Sequence, residues 1–141
     1  MHSKEIGIYI DRTYKIVRQD LITRFKQGGV DMTPEQWVLL SRLDDQKEYS
    51  QTDLANFSFK DKPTVSRIVD LLVKKGLVNR KPDRNDKRKF YIRLTAEGRK
   101  EVEKARPHVI AAREKGWQNL SKKEYETFVQ LMDKIFNNYN S

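Results

Sequence analysis

Ser66 and Arg67 stand early in a segment whose apolar residues, Val65, Ile68, Val69 and Leu72, have helical spacing. With Val65 at zero and about 100° per residue, the apolar stripe centres near zero. Pro63, Arg67, Asp70 and Lys74 then centre on the opposite side, with Ser66 beside them. Small residues permit close approach, hydroxyls bond phosphates or base edges, and arginine can fork onto guanine. Such a bidentate pair is worth roughly 1–3 kcal/mol of base discrimination in a major groove. Further on, Arg84, Lys87, Arg88 and Lys89 surround a tip too polar for a core. Arginine is favoured in a narrow minor groove by the enhanced negative potential there. Asp86 could hold Arg88 extended through a salt bridge. Asp70 would repel phosphate, so it is expected to orient Arg67 or a wing arginine.

These residues lie in a concentrated block of charge. From Asp61 to Lys100 there are thirteen Lys and Arg against five acids, a net +8 out of +9 for the chain. Excess charge gathered in this way points to a polyanion partner. Taken singly, each of these cations could equally be solvated surface, and Lys74-Lys75 could simply favour a helix C-terminus.

The elements that must position them follow from pattern and capping. Ile6, Ile10, Tyr14, Val17, Leu21 and Phe25 predict a long amphipathic helix from Glu5 to about Lys26, ended by Gly28-Gly29. Thr33, Pro34 and Gln36 open a second, well-buried helix carrying Trp37, Val38, Leu39, Leu40 and Leu43. Ser50 with Asp53 opens a third, with Leu54, Ala55 and Phe57 facing inward. After a break at Ser58-Phe59-Lys60, Asp61 caps the fourth, which Gly76 stops. Strands from Leu77 to Pro82 and from Lys89 to Leu94 follow. In the second, Phe90, Ile92 and Leu94 alternate with Lys89, Tyr91 and Arg93, as in a half-buried strand. Thr95 caps a fifth helix running toward Trp117, with a kink or break expected at Pro107. Ser121 and Glu124 open a sixth, whose stripe is Tyr125, Phe128, Leu131, Met132, Ile135, Phe136 and Tyr139. Two helices joined by a short turn and followed by a basic hairpin make a winged helix-turn-helix. The fold class is therefore mainly α with a small β-hairpin wing.

Composition narrows the function. With no cysteine, disulfides, thiol chemistry and cysteine-ligated zinc are excluded within one chain. The two histidines, His2 and His108, are far apart in sequence, so no metal site is expected. Asp44 and Asp45 are adjacent, and neighbouring helical residues point about 100° apart rather than converging on a substrate. No glycine-rich phosphate loop is present, so neither an enzyme nor a cofactor is indicated. Lacking an apolar leader or a membrane-length apolar run, the chain is expected to be cytoplasmic.

The chain resembles the MarR family of winged-helix transcription regulators over nearly its whole length. The resemblance rests on several stretches in order. Thr33-Pro34-Glu35-Gln36-Trp37 and Asp53-Leu54-Ala55 come first, followed by Asp61-Lys62-Pro63-Thr64-Val65-Ser66-Arg67. Lys75-Gly76-Leu77-Val78-Asn79-Arg80, the wing from Asp83 to Arg88, Leu94-Thr95-Ala96-Glu97-Gly98-Arg99 and Leu120-Ser121-Lys122-Lys123-Glu124 complete it. The likeness implies a single domain in which residues 33–99 form the DNA-binding lobe and residues 1–32 and 100–141 form dimerisation helices. It also implies a homodimer on palindromic promoter DNA, acting as a repressor released by small ligands. Candidate DNA contacts are Lys62, Pro63, Thr64, Ser66 and Arg67 on the helix, and Arg84, Asp86, Lys87, Arg88 and Lys89 in the wing. By the family pattern Ser66 and Arg67 lie in the groove, and Arg88 is the wing-tip arginine paired with Asp86. The family often has a Leu-Gly-Leu-like turn where this chain has Ser58-Phe59-Lys60. The turn must therefore avoid or tolerate a left-handed residue, with Phe59 either a core anchor or a surface contact.

The first, fifth and sixth helices are too apolar for isolated arms. A twofold dimer is expected, its recognition helices about 34–36 Å apart or a multiple of that. A ligand between the two lobes would change this separation. Tyr9, Tyr14 and Trp37 could line its pocket, or be ordinary core aromatics. By analogy with the family the ligand would be a small phenolic molecule, and the lack of cysteine removes a thiol switch. The alternative function is a winged-helix protein-interaction or RNA-binding module without operator specificity.

Overall fold

The computed structural model describes residues 5–140, so His2 lies outside it. Six helices and three short strands follow one another as α1 (Ile6–Gln27), α2 (Pro34–Leu43), β1 (Tyr49–Ser50), α3 (Gln51–Ser58), α4 (Lys62–Lys74), β2 (Val78–Pro82), β3 (Phe90–Leu94), α5 (Ala96–Gly116) and α6 (Lys122–Tyr139). The predicted caps are in place. Thr33, Ser50 and Ser121 each form a reciprocal capping box, with Gln36, Asp53 and Glu124 respectively. Gly28 closes α1, and Gly29 turns the chain away at φ 68, in the left-handed region that a Cβ disfavours.

The sheet has three strands rather than the two of a hairpin, in the order β1-β3-β2, all antiparallel. Two residues, Tyr49 and Ser50, pair with Ile92 and Tyr91 immediately before Ser50 caps α3. A strand this short has no period to read. The wing strands hold the register Val78 to Leu94 through Pro82 to Phe90. Along β3, Ile92 and Leu94 are buried and Arg93 is exposed, as the alternation predicts.

The core is built from α2 to α5 and the sheet, joined by Phe25 near the end of α1 and by Val30 and Met32 after it. Leu39, Leu40, Leu43, Leu54, Val65, Val69, Leu72, Ile92 and Val102 are completely buried. At its edge Gly98 lies so close to the chain before β2 that a Cβ there would meet the Leu77 carbonyl oxygen at 2.0 Å. Leu77 also accepts the Thr95 amide hydrogen bond at 3.0 Å, so α5 starts in direct contact with the base of the wing. Arg106 of α5 pairs with Asp44 at the end of α2.

One local expectation is revised, one is narrowed, and one left open is decided. Phe57 does not face inward; it is exposed, and Arg42 lies over its ring at 5.3 Å. On α3 it sits about 110° from the centre of the Leu54–Ala55 face, too far round to reach the core. The chain stays helical through Pro107 rather than breaking. The one hydrogen bond that proline removes is offset by Ala105 and Val109, both buried on the inner side of the same helix. The turn before α4 tolerates a left-handed residue. Phe59 has φ 56 and ψ 32 and is 80% exposed. It is a surface contact, meeting the ring of Phe136 on α6 edge to face with centroids 5.4 Å apart.

Apolar surface is left open on the terminal helices. Ile6, Ile8, Ile10, Tyr14, Ile16 and Val17 of α1 are exposed, Ile16 by 71%. No residue of α6 is buried, although Tyr125, Phe128, Leu131 and Phe136 share its apolar stripe. No helix among the described residues is long and apolar enough to cross a membrane.

Candidate nucleic-acid interface

Helix α4 begins on Asp61, whose carboxylate accepts the Thr64 amide at 2.7 Å. That bond holds the Asp61 carboxyl below its usual range, so the cap stays ionised. Thr64 in turn receives Arg67: Nη2 donates to Thr64 Oγ1 at 3.2 Å. The guanidinium is thereby drawn toward the N-terminal end of the helix, where Lys62, Pro63 and Arg67 are exposed and Thr64 and Ser66 half-buried. Val65, Val69 and Leu72 anchor the opposite face in the core. Of the two partners expected for Asp70, Arg67 and a wing arginine, it takes the second, on a wing strand rather than at the tip. Its partner is Arg80 on β2, at 2.6 Å.

The wing tip is closed by its acids. The Asp83 carboxylate accepts the amides of Asn85 and Asp86 at 2.7 and 3.3 Å, the first of which lowers its pKa. Asp83 N donates to the Lys89 carbonyl and Lys89 N to the Asp86 carbonyl, at 2.9 and 3.0 Å. Asp86 Oδ1 accepts both the amide and Nε of Arg88, at 3.0 and 3.2 Å. The acids therefore act inward on the turn, while Arg84, Lys87, Arg88 and Lys89 are exposed. The Arg88 side chain is 92% exposed, held near its base and free at its tip.

A second feature lies between α1, α2, α5 and α6. This apolar cavity of 1410 Å³ is lined by Tyr14, Val17, Val38, Trp117, Phe128 and Leu131, among others. Of the three aromatics considered for a pocket, only Tyr14 lines it. Tyr9 lies under the guanidinium of Arg12, one turn nearer the N-terminus, and Trp37 packs against the core. Trp117 takes their place, edge to face with Tyr125 and Phe128 at 4.5 and 5.8 Å. It reaches the cavity because the end of α5 faces the stripe of α6, a placement set by packing rather than by local pattern.

On the wall of this cavity Arg18 of α1 forks onto Glu35 of α2, with Nε and Nη2 at 2.8 and 2.6 Å from the two carboxylate oxygens. The arginine holds the Glu35 carboxyl below its usual range, more than desolvation raises it. A depressed folded pKa contributes stability that is complete above the unfolded value and lost as pH falls through the folded one. Wild-type protein should therefore exceed Glu35→Gln in stability at neutral pH, and the gap should close on acidification. Chemical denaturation at a series of pH values measures it; a constant gap would show that the bridge adds nothing pH-dependent.

The family model for the MarR family matches residues 32–90, which span α2 to the first residue of β3. The transcriptional regulator HosA of Escherichia coli O157:H7 is 33% identical over 119 residues, covering 84% of this chain and 88% of HosA. The chain belongs to the MarR family. Its relatives there are transcriptional regulators, not enzymes. MarR-family structures share the fold: that of the S. aureus MepR–DNA complex superposes with a TM-score of 0.87 at 25% identity, covering 96% of this chain and 99% of MepR. BpsR of Bordetella bronchiseptica, whose DNA binding is regulated by 6-hydroxynicotinic acid, has a TM-score of 0.77 at 28% identity, with 94% and 98% covered.

Proposed function

We propose that this MarR-family regulator is a homodimeric repressor that reads a palindromic operator, and that a small aromatic ligand releases it. The observation that carries the DNA reading is the pairing of two locally restrained, exposed arginines. Arg67 is steered by Thr64 on α4 and Arg88 by Asp86 at the wing tip. Residues Lys62, Pro63, Thr64, Ser66 and Arg67 would meet the major groove. Arg84, Lys87, Arg88 and Lys89 would meet the adjacent minor groove and phosphates, with Asp86 as a holder rather than a contact.

The homodimer reading is supported by α6, none of whose residues is fully buried within one chain despite its continuous apolar stripe. Residues 33–99 would then be the reading lobe and the terminal helices the pairing lobe. The ligand reading is supported by the apolar cavity between α1, α2, α5 and α6, whose lining includes the aromatic side chains of Tyr14, Trp117 and Phe128. A ligand there would act by favouring one separation of the two reading heads over another.

Titration of the protein against duplexes at several salt concentrations tests the reading. A binder making roughly 6–10 phosphate contacts loses on the order of 10³–10⁵ in affinity between about 50 and 200 mM salt. A palindrome selected by the protein from a random pool should also outcompete scrambled duplex. Equal affinity for every duplex, or preference for RNA, would instead favour an interaction module without operator specificity.

A further inference from the structure

Arg80 belongs to the basic block, but the structure uses its guanidinium internally. Nε donates to Gln51 Oε1 at 2.9 Å, at the first turn of α3. Nη1 meets Asp70 on α4 at 2.6 Å, and Nη2 donates to the backbone carbonyl of Ser66 at 3.3 Å. The same group lies 5.6 Å from the centre of the Phe90 ring on β3. From its place on β2, one side chain thus touches both helices of the helix-turn-helix and the opposite wing strand. Its side chain is 23% exposed, against 92% for Arg88.

The strand pattern explains how it gets there. Along β2, Val78 is buried and Asn79 exposed, so period two returns Arg80 to the inner side. A charge on that side must be paired and hydrogen-bonded to be tolerated. Asp70 supplies the opposite charge, and Gln51 and Ser66 take up further N–H groups. A lysine would not do the same, since its single ammonium lacks the planar fork that reaches three acceptors in different directions.

We infer that Arg80 is a positioning residue, a strut that fixes the recognition helix relative to the wing and so sets the geometry of readout without touching DNA. This inference rests on the DNA-binding reading proposed above. The Ser66 carbonyl is the telling contact, because Arg80 holds the backbone of a residue whose side chain faces the groove. Asp70, an acid on a surface otherwise suited to phosphate, is present for Arg80.

Three variants test it: Arg80→Lys, Arg80→Ala and Asp70→Asn. Each is measured on a duplex that the wild-type protein enriches from a random pool and on a scrambled duplex, across a salt series. With the strut broken, the ratio of selected to scrambled affinity falls by about tenfold or more in all three. The salt slope of Arg80→Ala stays at the wild-type value, because no phosphate contact is lost. A phosphate-contacting Arg80 gives the opposite pattern: Arg80→Lys close to wild type and a shallower slope for Arg80→Ala. If Asp70 is merely a repelling surface acid, Asp70→Asn tightens both duplexes equally. Either pattern overturns the inference. Should Arg80→Ala fold poorly, Arg80→Lys and Asp70→Asn carry the test alone. Residual dipolar couplings on DNA-free protein separate the two layers of argument. In wild type, α4 and the wing strands fit one alignment tensor; in Arg80→Lys they do not. A common tensor in both removes the strut, whatever DNA does. If no duplex is enriched, the DNA-binding reading fails and the positioning role falls with it, while the couplings still decide whether the strut exists.

Discussion

Leu131→Asp is expected to turn the protein into a monomer and to remove about two to four orders of magnitude from its affinity for a duplex carrying two half-sites. Leu131 sits midway along the α6 stripe and is 53% exposed in the single chain. A carboxylate there is tolerated by an isolated chain, where it can reach water. In a packed apolar interface it would be an unpaired buried charge, whose removal from water is expensive. The variant should therefore stay folded by circular dichroism while its mass, from sedimentation equilibrium, halves. Binding to a single half-site should hardly change, because each reading lobe keeps its own contacts. A wild-type protein that is monomeric at micromolar concentration, or a variant that remains dimeric, would overturn the proposed assembly.

Arg67→Ala and Arg88→Ala should both weaken binding, but in distinguishable ways. Loss of Arg67 removes roughly 1–3 kcal/mol of base discrimination per half-site, a factor of about 5 to 150. The effect should appear at one symmetric pair of operator positions, where all four bases become nearly equivalent. Loss of Arg88 should lower affinity for many sequences together and flatten the salt dependence, by about 0.9 in logarithmic slope for each phosphate charge no longer neutralised. Its major-groove consensus should survive. Binding measured on a panel of singly substituted operators at two salt concentrations separates the two. If both variants bind the selected site as tightly as wild type, the reading surface lies elsewhere.

Much of this architecture is legible in the sequence because local signals agree with one another. Thr33, Ser50 and Ser121 announce their helices through reciprocal capping, and the same three boxes form in the structure. The stripe of α4 and the alternation of β3 assign inner faces correctly because each element is long enough to show its period. Where the signals fail, the element is short or its partner is distant in sequence. The Tyr49–Ser50 strand is two residues long and exists only because β3 comes back to pair with it. Phe57 sits in the last turn of an eight-residue helix, where apolar character alone does not fix direction. The partnership of Asp70 and Arg80 spans a helix end, a turn and a strand. Period two along β2 puts Arg80 inward, but only the packed structure shows which acid awaits it. Trp117 and Trp37 could not be ranked as pocket residues until the relative positions of α1, α5 and α6 were known.

The buried core opens at Phe25 and closes at Val109, and the described chain beyond residue 109 adds no buried side chain to it. During synthesis the reading half can therefore collapse once Val109 has emerged, by a first-order process indifferent to how many copies are present. The last helix follows later, and its own chain leaves its apolar side largely open, only Met132 and Ile135 of the stripe being half-buried. In the proposed homodimer its final packing awaits an encounter, a second-order step whose rate rises with concentration. Refolding should accordingly show two phases, one fixed and one that speeds up as protein is added. In a cell making few copies, the interval between them is when the exposed stripe of α6 is open to proteases and to wrong partners.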